Sequence, residues 1–390
     1  MKLPKNRDND YTREAINARI KFLSKISGHQ PEFLNSSQIE PEVARGNIEN
    51  IIGFAQLPVG VIGPIKINGE HARGSFFVPM ATSEGALISS YNRGAHAISL
   101  SGGANVVITA DSIQRAPYFI FENAHKAKEF TTWLNKNFNQ LKNVTAGTTR
   151  HGQLIEHHSF LQGRMVFVRL HFSSGDAMGM NMITKASQEI CKYICNNFPV
   201  LDYAIESNMA VDKKPAQINT ILGRGKSLTT EVLLKEKVIS RLLHTNAKAI
   251  DTAYHRQVAG GHIAGAMGSN GHLANGIAAM FMACGQDLAN VSESCVGHIH
   301  TEVSGKDLYV SLRLPSLILG TVGGGTSLPT QRECLEIMGC YGKGKARKFA
   351  EIAGVALLAG ELSLAAAVVA GDFVTAHEKL GRNRPESKPN

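Results

Sequence analysis

Apolar positions change texture three times along the chain. Up to residue 47 they are sparse among charges and recur at helical spacing, Ile16, Ile20 and Leu23, ahead of a turn at Ser36 and Ser37, which predicts a helical arm. From Glu49 the text ENIIGFAQLPVGVIGPIKING sets short β-branched runs between Gly and Pro, the pattern of strands joined by tight turns. SEGALISSYNRGAHAISLSGG follows, with Ala86, Leu87, Ala95 and Ile98 among small residues, and predicts a closely packed helix.

Residues 117–203 are rich in aromatics and hold several His. Residues 164–172 alternate, with Val166, Val168, Leu170 and Phe172 on one face of a strand and Met165, Phe167, Arg169 and His171 on the other. SSGDAMGMN then opens a helix through Ile183, Ile190 and Ile194. A strand, a Gly-containing loop and a helix offer amide groups to an anion such as a pyrophosphate. Beyond Asn208 the chain returns to Gly- and Ala-rich helices and short strands, with alternation over 307–315 and a GTVGGGT loop at 320–326. The change in and out of 117–203 predicts one domain inserted into another.

A length of 390 residues gives a prior of two to three domains. With 43% hydrophobic and 19% charged residues the bulk is not disordered. The net charge of +9 suits a polyanionic ligand such as a nucleotide as well as a nucleic acid. No helix-turn-helix or ribonucleoprotein aromatic motif supports the latter. Six Cys without a CxxC pair read as free thiols of a reducing, cytoplasmic compartment. The N-terminal text lacks the apolar run of a signal peptide. Residues 352–371, broken by Glu361 and dominated by Ala and Gly, read as a buried helix rather than a membrane span.

Several standard motifs fail. GRGKS at 223–227 ends like a Walker A loop, but Thr220 stands where its first Gly belongs. There is no Rossmann GxGxxG with its acidic partner, no HExxH and no GxSxG. Ionisable residues in Gly- or Ala-rich settings remain: Glu84, Lys213 and Lys214, Asp287 and His377. Taken singly, Glu84 reads equally as a helix cap, Asp287 as a satisfied buried carboxylate and His377 as a surface His. The DKKP segment is more informative, because two Lys before a Pro read as a loop that presents charge.

ENIIGFAQLPVGVIGP, PMATSEGALISSYNRG, GDAMGMNMI, VDKKPAQIN, GRGKS, ACGQD, GTVGGGT and AGELSLAAAVVAG occur in this order. From about Glu49 to His377 the chain resembles the catalytic domain of class I 3-hydroxy-3-methylglutaryl-coenzyme A (HMG-CoA) reductases. The resemblance implies an α+β fold: a helical arm (1–47), a large α/β substrate domain built around a central helix (48–116 and 204–390), and an inserted small ferredoxin-like cofactor domain (117–203). It also implies an NADPH-dependent, metal-free, four-electron reduction of HMG-CoA to mevalonate and free coenzyme A. The expected partner is the small-molecule substrate, with no nucleic acid and no membrane, in a homodimer at minimum and with a tetramer compatible. The alternatives are an NAD-dependent, mevalonate-oxidising homologue and a non-catalytic coenzyme A or nucleic-acid binding protein.

By this resemblance Lys213 polarises the carbonyl, Glu84 donates a proton, Asp287 bonds both as a relay, and His377 protonates the leaving thiolate. The substrate acid is held by Arg115, Ser207, Asp212, Lys214, Arg256, His272 and Asn275. Arg256 and Glu206 depart from the family's usual Lys and Ser. Coenzyme A is expected at Ser90, Tyr91, Asn92 and Arg93. The cofactor is expected at Thr149, Arg150, Asp176, Met178, Gly179, Met180, Asn181, Val322, Gly323, Gly324 and Gly325, with Asp176 doubling as the cap of its own helix.

Overall fold

The computed structural model describes residues 2–371. Helix α1 (Arg13–Ser27) starts at Thr12, whose hydroxyl accepts from the Ala15 amide, and ends at Gly28 with φ 70°. Its Ile16 and Ile20 pack with Ala44, Ile51 and Phe54. Residues 49–58 therefore belong to this small core. They are not the strand that the punctuated pattern predicts, because their backbone is engaged elsewhere: Phe54 N–H donates to Leu34 O at 3.0 Å, and Arg19 Nη1 to Ile51 O at 2.9 Å.

Strands β1 (Val59–Gly69) and β2 (Arg73–Ala81) form a hairpin, followed by α2 (Leu87–Leu100) and β3 (Ala104–Arg115). Next come β4 (Tyr118–Ile120), α3 (Ala124–Lys136), α4 (Phe138–Thr148), β5 (Gln153–Gln162), β6 (Met165–Ser173), α5 (Met180–Asn197) and β7 (Asp202–Ala204). The last part holds α6 (Gln217–Leu222), β8 (Gly225–Leu234), α7 (Glu236–Leu242), α8 (Ala247–Ile263), α9 (Leu273–Ala283), α10 (Val291–Ser294), β9 (His298–Ser304), β10 (Asp307–Leu317), α11 (Pro329–Ile337) and α12 (Ala346–Ala370).

The strands run β7-β4-β6-β3-β8-β10-β9, with β1 joined to β3 and β5 to β6. Strands β4 to β7 alone have the order β7-β4-β6-β5, all pairs antiparallel, with helices between the first and second and the third and fourth in chain order. That is the β-α-β-β-α-β ferredoxin-like arrangement. It has its own core around Phe119, Phe121, Phe130, Val168 and Ile190. It is not a detached sheet, however, because β3 pairs with β8 through Ser112 and with β6 from Ile113 to Arg115. Both faces of β6 are buried at Arg169 and His171, where the alternation predicts an outer face. The reason is α6, since Arg169 Nη2 bonds Asn219 Oδ1 at 2.9 Å and Gly223 O at 3.2 Å.

The larger core surrounds α12, the only helix among the described residues long and apolar enough to cross a membrane, and 83% of its apolar window is buried inside the fold. Its two carboxylates explain how a nearly all-apolar helix carries charge inside. Glu351 accepts the His71 and Ala72 amides, and Glu361 those of Gly271 and His272, all within 2.9 Å. Helix α2 lies so close to α12 that a Cβ on Gly94 would stand 1.8 Å from the Ala359 carbonyl oxygen. Tyr91 fills the hole left by Gly276 and Gly360.

Candidate active site

Between β7 and α6 the chain makes a loop in which Asn208 (φ 66°), Val211 (φ 50°) and Lys213 (φ 59°) all adopt left-handed backbone. Each such residue costs about 1–3 kcal/mol and persists only when its surroundings over-determine it. The restraint here is a buried ion network. Arg224 is fully buried, with Nε on Glu293 Oε2 and Nη2 on Asp212 Oδ1, both at 2.6 Å, and Nη1 on Gln114 O at 3.0 Å. Glu293 Oε1 in turn accepts the Lys213 amide at 3.1 Å, and Ser292 Oγ donates to Lys213 O at 2.6 Å. Burial pushes the Glu293 carboxyl up, against the pull of Arg224 and the Lys213 amide.

This network aims the Lys213 ammonium at Asp287, 2.7 Å away, with both side chains still open to solvent. The hydrogen bond to Asp287 raises the Lys213 pKa, against a smaller opposing effect of desolvation. Lys213 is thus a held cation. Lys214 beside it is exposed, its ammonium on the Asp212 carbonyl at 3.1 Å.

Glu84 does not join Asp287. Its Oε2 accepts from Asn275 Nδ2 at 2.8 Å, on the first turn of α9, whereas Asp287 follows the C-terminal end of the same helix. Eight residues of helix, roughly 12 Å, lie between. Of the expected relay, the Lys213 half is formed and the Glu84 half is not among the contacts of the described residues. Beside Asn275, His272 stacks on Tyr91 with ring centres 5.4 Å apart, and its Nδ1 is buried without a hydrogen-bond partner.

The expected cofactor segments converge next to Asp287. Loop 174–179 lies against 320–321: Thr321 N–H donates to Asp176 O at 2.8 Å, and a Cβ on Gly320 would meet the Met178 nitrogen at 2.9 Å. A Cβ on Gly285 would meet Gly325 O at 2.3 Å, and Gln286 Oε1 accepts the Gly320 amide at 2.8 Å. Gly179, in left-handed backbone, precedes α5, Asn181 on its first turn is exposed, and Val322, Gly323 and Gly324 are exposed. Met178 and Met180 point inward, their sulfurs accepting from Asn290 Nδ2 and Arg224 Nη2. Thr149 ends α4, and Arg150 after it is exposed.

Asp176 corrects its expected role. It caps α12 rather than its own helix, accepting the amides of Gly344, Lys345 and Ala346 at 2.7, 3.0 and 3.1 Å. Desolvation pushes its carboxyl up, but these three amides outweigh it and hold the pKa below the ordinary value.

Tyr91 is a second correction, being wholly buried in the core and so unable to touch a ligand. Its neighbours are also structurally engaged: Ser90 Oγ and Arg93 Nε bond Ser363 Oγ, each at 3.0 Å, and Asn92 Oδ1 accepts the Gly63 amide at 2.9 Å. Arg115 is held by Glu206 at 2.8 Å, and both the amide and the hydroxyl of Ser207 bond Ala116 O. Arg256 is exposed on α8 in a groove with Lys248 and Val369 and is not brought to Lys213 by any contact. His377 lies outside the described residues.

Sequence reasoning missed Glu293, which sits in the unremarkable text VSES. Arg224 was in view within GRGKS, as a failed phosphate loop and as a family motif, without a role of its own. As to metals, β5 and β6 bring Glu156, His158 and His171 together, with ligand atoms within 4.8 Å of one another. Burial, then Arg169 and His158, push His171 down to about 3.

An ammonium braced by a carboxylate beside converging glycine loops can stabilise negative charge that develops on a carbonyl oxygen. The chain belongs to the hydroxymethylglutaryl-coenzyme A reductase family, whose model matches residues 15–382. It is 46% identical to the 3-hydroxy-3-methylglutaryl-coenzyme A reductase of Aeropyrum pernix, over 95% of this chain and 90% of that one. The enzyme of that name from Methanocaldococcus jannaschii is 45% identical, over 94% and 93%. Among solved structures, the class II 3-hydroxy-3-methylglutaryl-CoA reductase of Streptococcus pneumoniae, bound to NADPH in open conformations, aligns with a TM-score of 0.69. It covers 93% of this chain and 99% of that one at 18% identity, a likeness of fold.

Proposed function

We propose that this chain reduces HMG-CoA to mevalonate and coenzyme A with NADPH. The observation that carries the reading is the Lys213–Asp287 pair at 2.7 Å, placed where loops 174–179, 284–287 and 320–326 meet. Reduction of a thioester builds negative charge on oxygen, and a braced ammonium stabilises it where water is displaced. Lys213 meets the carbonyl oxygen, while Asp287 keeps the ammonium oriented and charged. Glu84 is the proton donor, and His377 is assigned to the thiolate.

The exposed backbone of Val322–Gly324, the amides at the start of α5 and the Arg150 guanidinium suit a dinucleotide phosphate, so the fit to NADPH is good. When bound, that cofactor supplies the hydrides. Asp176, spent on three amides, holds the loop rather than the cofactor. Arg115 and the exposed Lys214 meet the substrate's free carboxylate. The class I assignment rests on the TSEG, DAMGMN and DKKP variants.

Because Glu84–Asn275 and Lys213–Asp287 sit at opposite ends of α9, we place the complete site between two copies of the chain, Glu84, His272 and Asn275 coming from one and Lys213 from the other. Three hydrophobic clusters support a division near 1–47, 117–203 and the remainder, with Ile51 and Phe54 carrying the arm's cluster past residue 47. All six cysteines are unpaired, which supports a cytoplasmic compartment. The test is NADPH oxidation followed at 340 nm with HMG-CoA. Turnover with product mevalonate supports the reading. Mevalonate oxidation by NAD with no NADPH-dependent reduction would overturn it.

A further inference from the structure

We propose that Glu206 is a carboxylate resident on Arg115 that the free carboxylate of the incoming substrate must displace, so that this side chain sets the affinity for the acidic end of the thioester. The proposal rests on the reading of Arg115 as the group that meets that end.

Arg115 ends β3 with its side chain 14% exposed. Its Nη2 donates to Thr184 Oγ1 at 2.7 Å, its Nη1 to Glu206 Oε2 at 2.8 Å, and its Nε is buried without a partner. The outward-facing half of the guanidinium is therefore taken by a carboxylate, the same chemical group the substrate offers. Glu206 is the more exposed of the two, its side chain 34% accessible. The backbone behind it is fixed, with Ser207 N–H and Oγ both on Ala116 O at 2.8 and 2.7 Å. Displacement thus needs only a rotation of the Glu206 side chain.

Two carboxylates on one guanidinium repel, so the resident one lowers the affinity for any acidic ligand at this position. Glu206 Oε1 also accepts the Asn208 amide at 2.7 Å. Asn208 is the first left-handed residue of the loop that carries Lys213. Release of Glu206 therefore also frees the start of that loop when the acid end of the substrate arrives.

The experiment compares the full-length chain with Glu206→Gln, which keeps the volume but removes the charge and one of the two acceptor oxygens that serve Arg115 and Asn208, and with Arg115→Lys. Steady-state kinetics give KM and kcat for HMG-CoA and KM for NADPH. Calorimetry gives the affinity for free 3-hydroxy-3-methylglutarate without relying on turnover. Glu206→Gln is expected to lower KM for HMG-CoA and Kd for the free acid together, by about three- to ten-fold. The NADPH constant should not move, and kcat should change less than KM. A lesion of structure would instead raise KM and lower kcat, and that result overturns the proposal. Unchanged KM and Kd in Glu206→Gln, with KM raised in Arg115→Lys, overturns it while leaving the functional reading intact. If Arg115→Lys moves neither constant, Arg115 does not meet the substrate and both ideas fall at this residue.

Discussion

The two ends of α9 are built differently. At its C-terminal end, Lys213 stands in left-handed backbone, pinned by the fully buried pair Arg224–Glu293 and by Asp287. At its N-terminal end, Glu84 is exposed and held by one hydrogen bond from Asn275. The first end is ordered before any ligand arrives, at the cost of burying charge. The second leaves its carboxyl open to solvent. In the mechanism proposed above, a cation that sits still and an acid that gives up a proton call for these opposite environments.

The contrast breaks most sharply at the buried pair. Arg224→Met leaves Glu293 buried without its cation, and such a loss costs about 3–5 kcal/mol. Chemical denaturation should show it, and a midpoint within error of the parent would mean that the network does not hold the Lys213 loop. Next in size, Lys213→Ala is expected to lower kcat on the order of 100-fold or more while leaving the melting temperature nearly unmoved. Near-parental turnover would remove Lys213 from the chemistry.

At the open end, Glu84→Gln should also cut kcat by about 100-fold, with stability unchanged because its carboxylate supports nothing else. A clear drop in melting temperature would make Glu84 a structural residue like those at the other end. The smallest effect is expected at Asp176→Asn, where loss of the charge and of one acceptor oxygen at the start of α12 costs about 1 kcal/mol. Its folded pKa is depressed, so its stabilisation is full above the ordinary carboxyl value and fades as the pH falls through the lower folded value. The gap in melting temperature between parent and variant should therefore close in acid. A constant gap would show that charge is not what the three amides recognise.

Most of the chemistry was legible because it sits in short loops whose text is constrained locally: DKKP, CGQD, GDAMG and GTVGGG. The central helix was legible as an Ala- and Gly-rich run with an internal Glu. What could not be read is what the fold brings from afar. Arg224 and Glu293 are 69 residues apart in sequence, and nothing in VSES marks its Glu as buried. Asp176 reaches an amide 168 residues away instead of the helix beside it. Tyr91 is a different case, because Leu87, Tyr91, Ala95 and Ile98 lie on one helical stripe and all are buried. Its periodicity pointed to the core, while the surrounding motif pointed to the ligand.

The contact of α2 with α12 bears on how tolerance to substitution should be interpreted. Gly94, Gly276 and Gly360 have no room for a methyl group: the added carbon would lie 1.8 Å from a carbonyl oxygen at the first, and 2.0 and 2.2 Å from Tyr91 at the others. In a saturation library scored by growth, these positions would be as intolerant as Lys213. Shape and chemistry give the same score there, and only a separate measurement of protein abundance tells them apart.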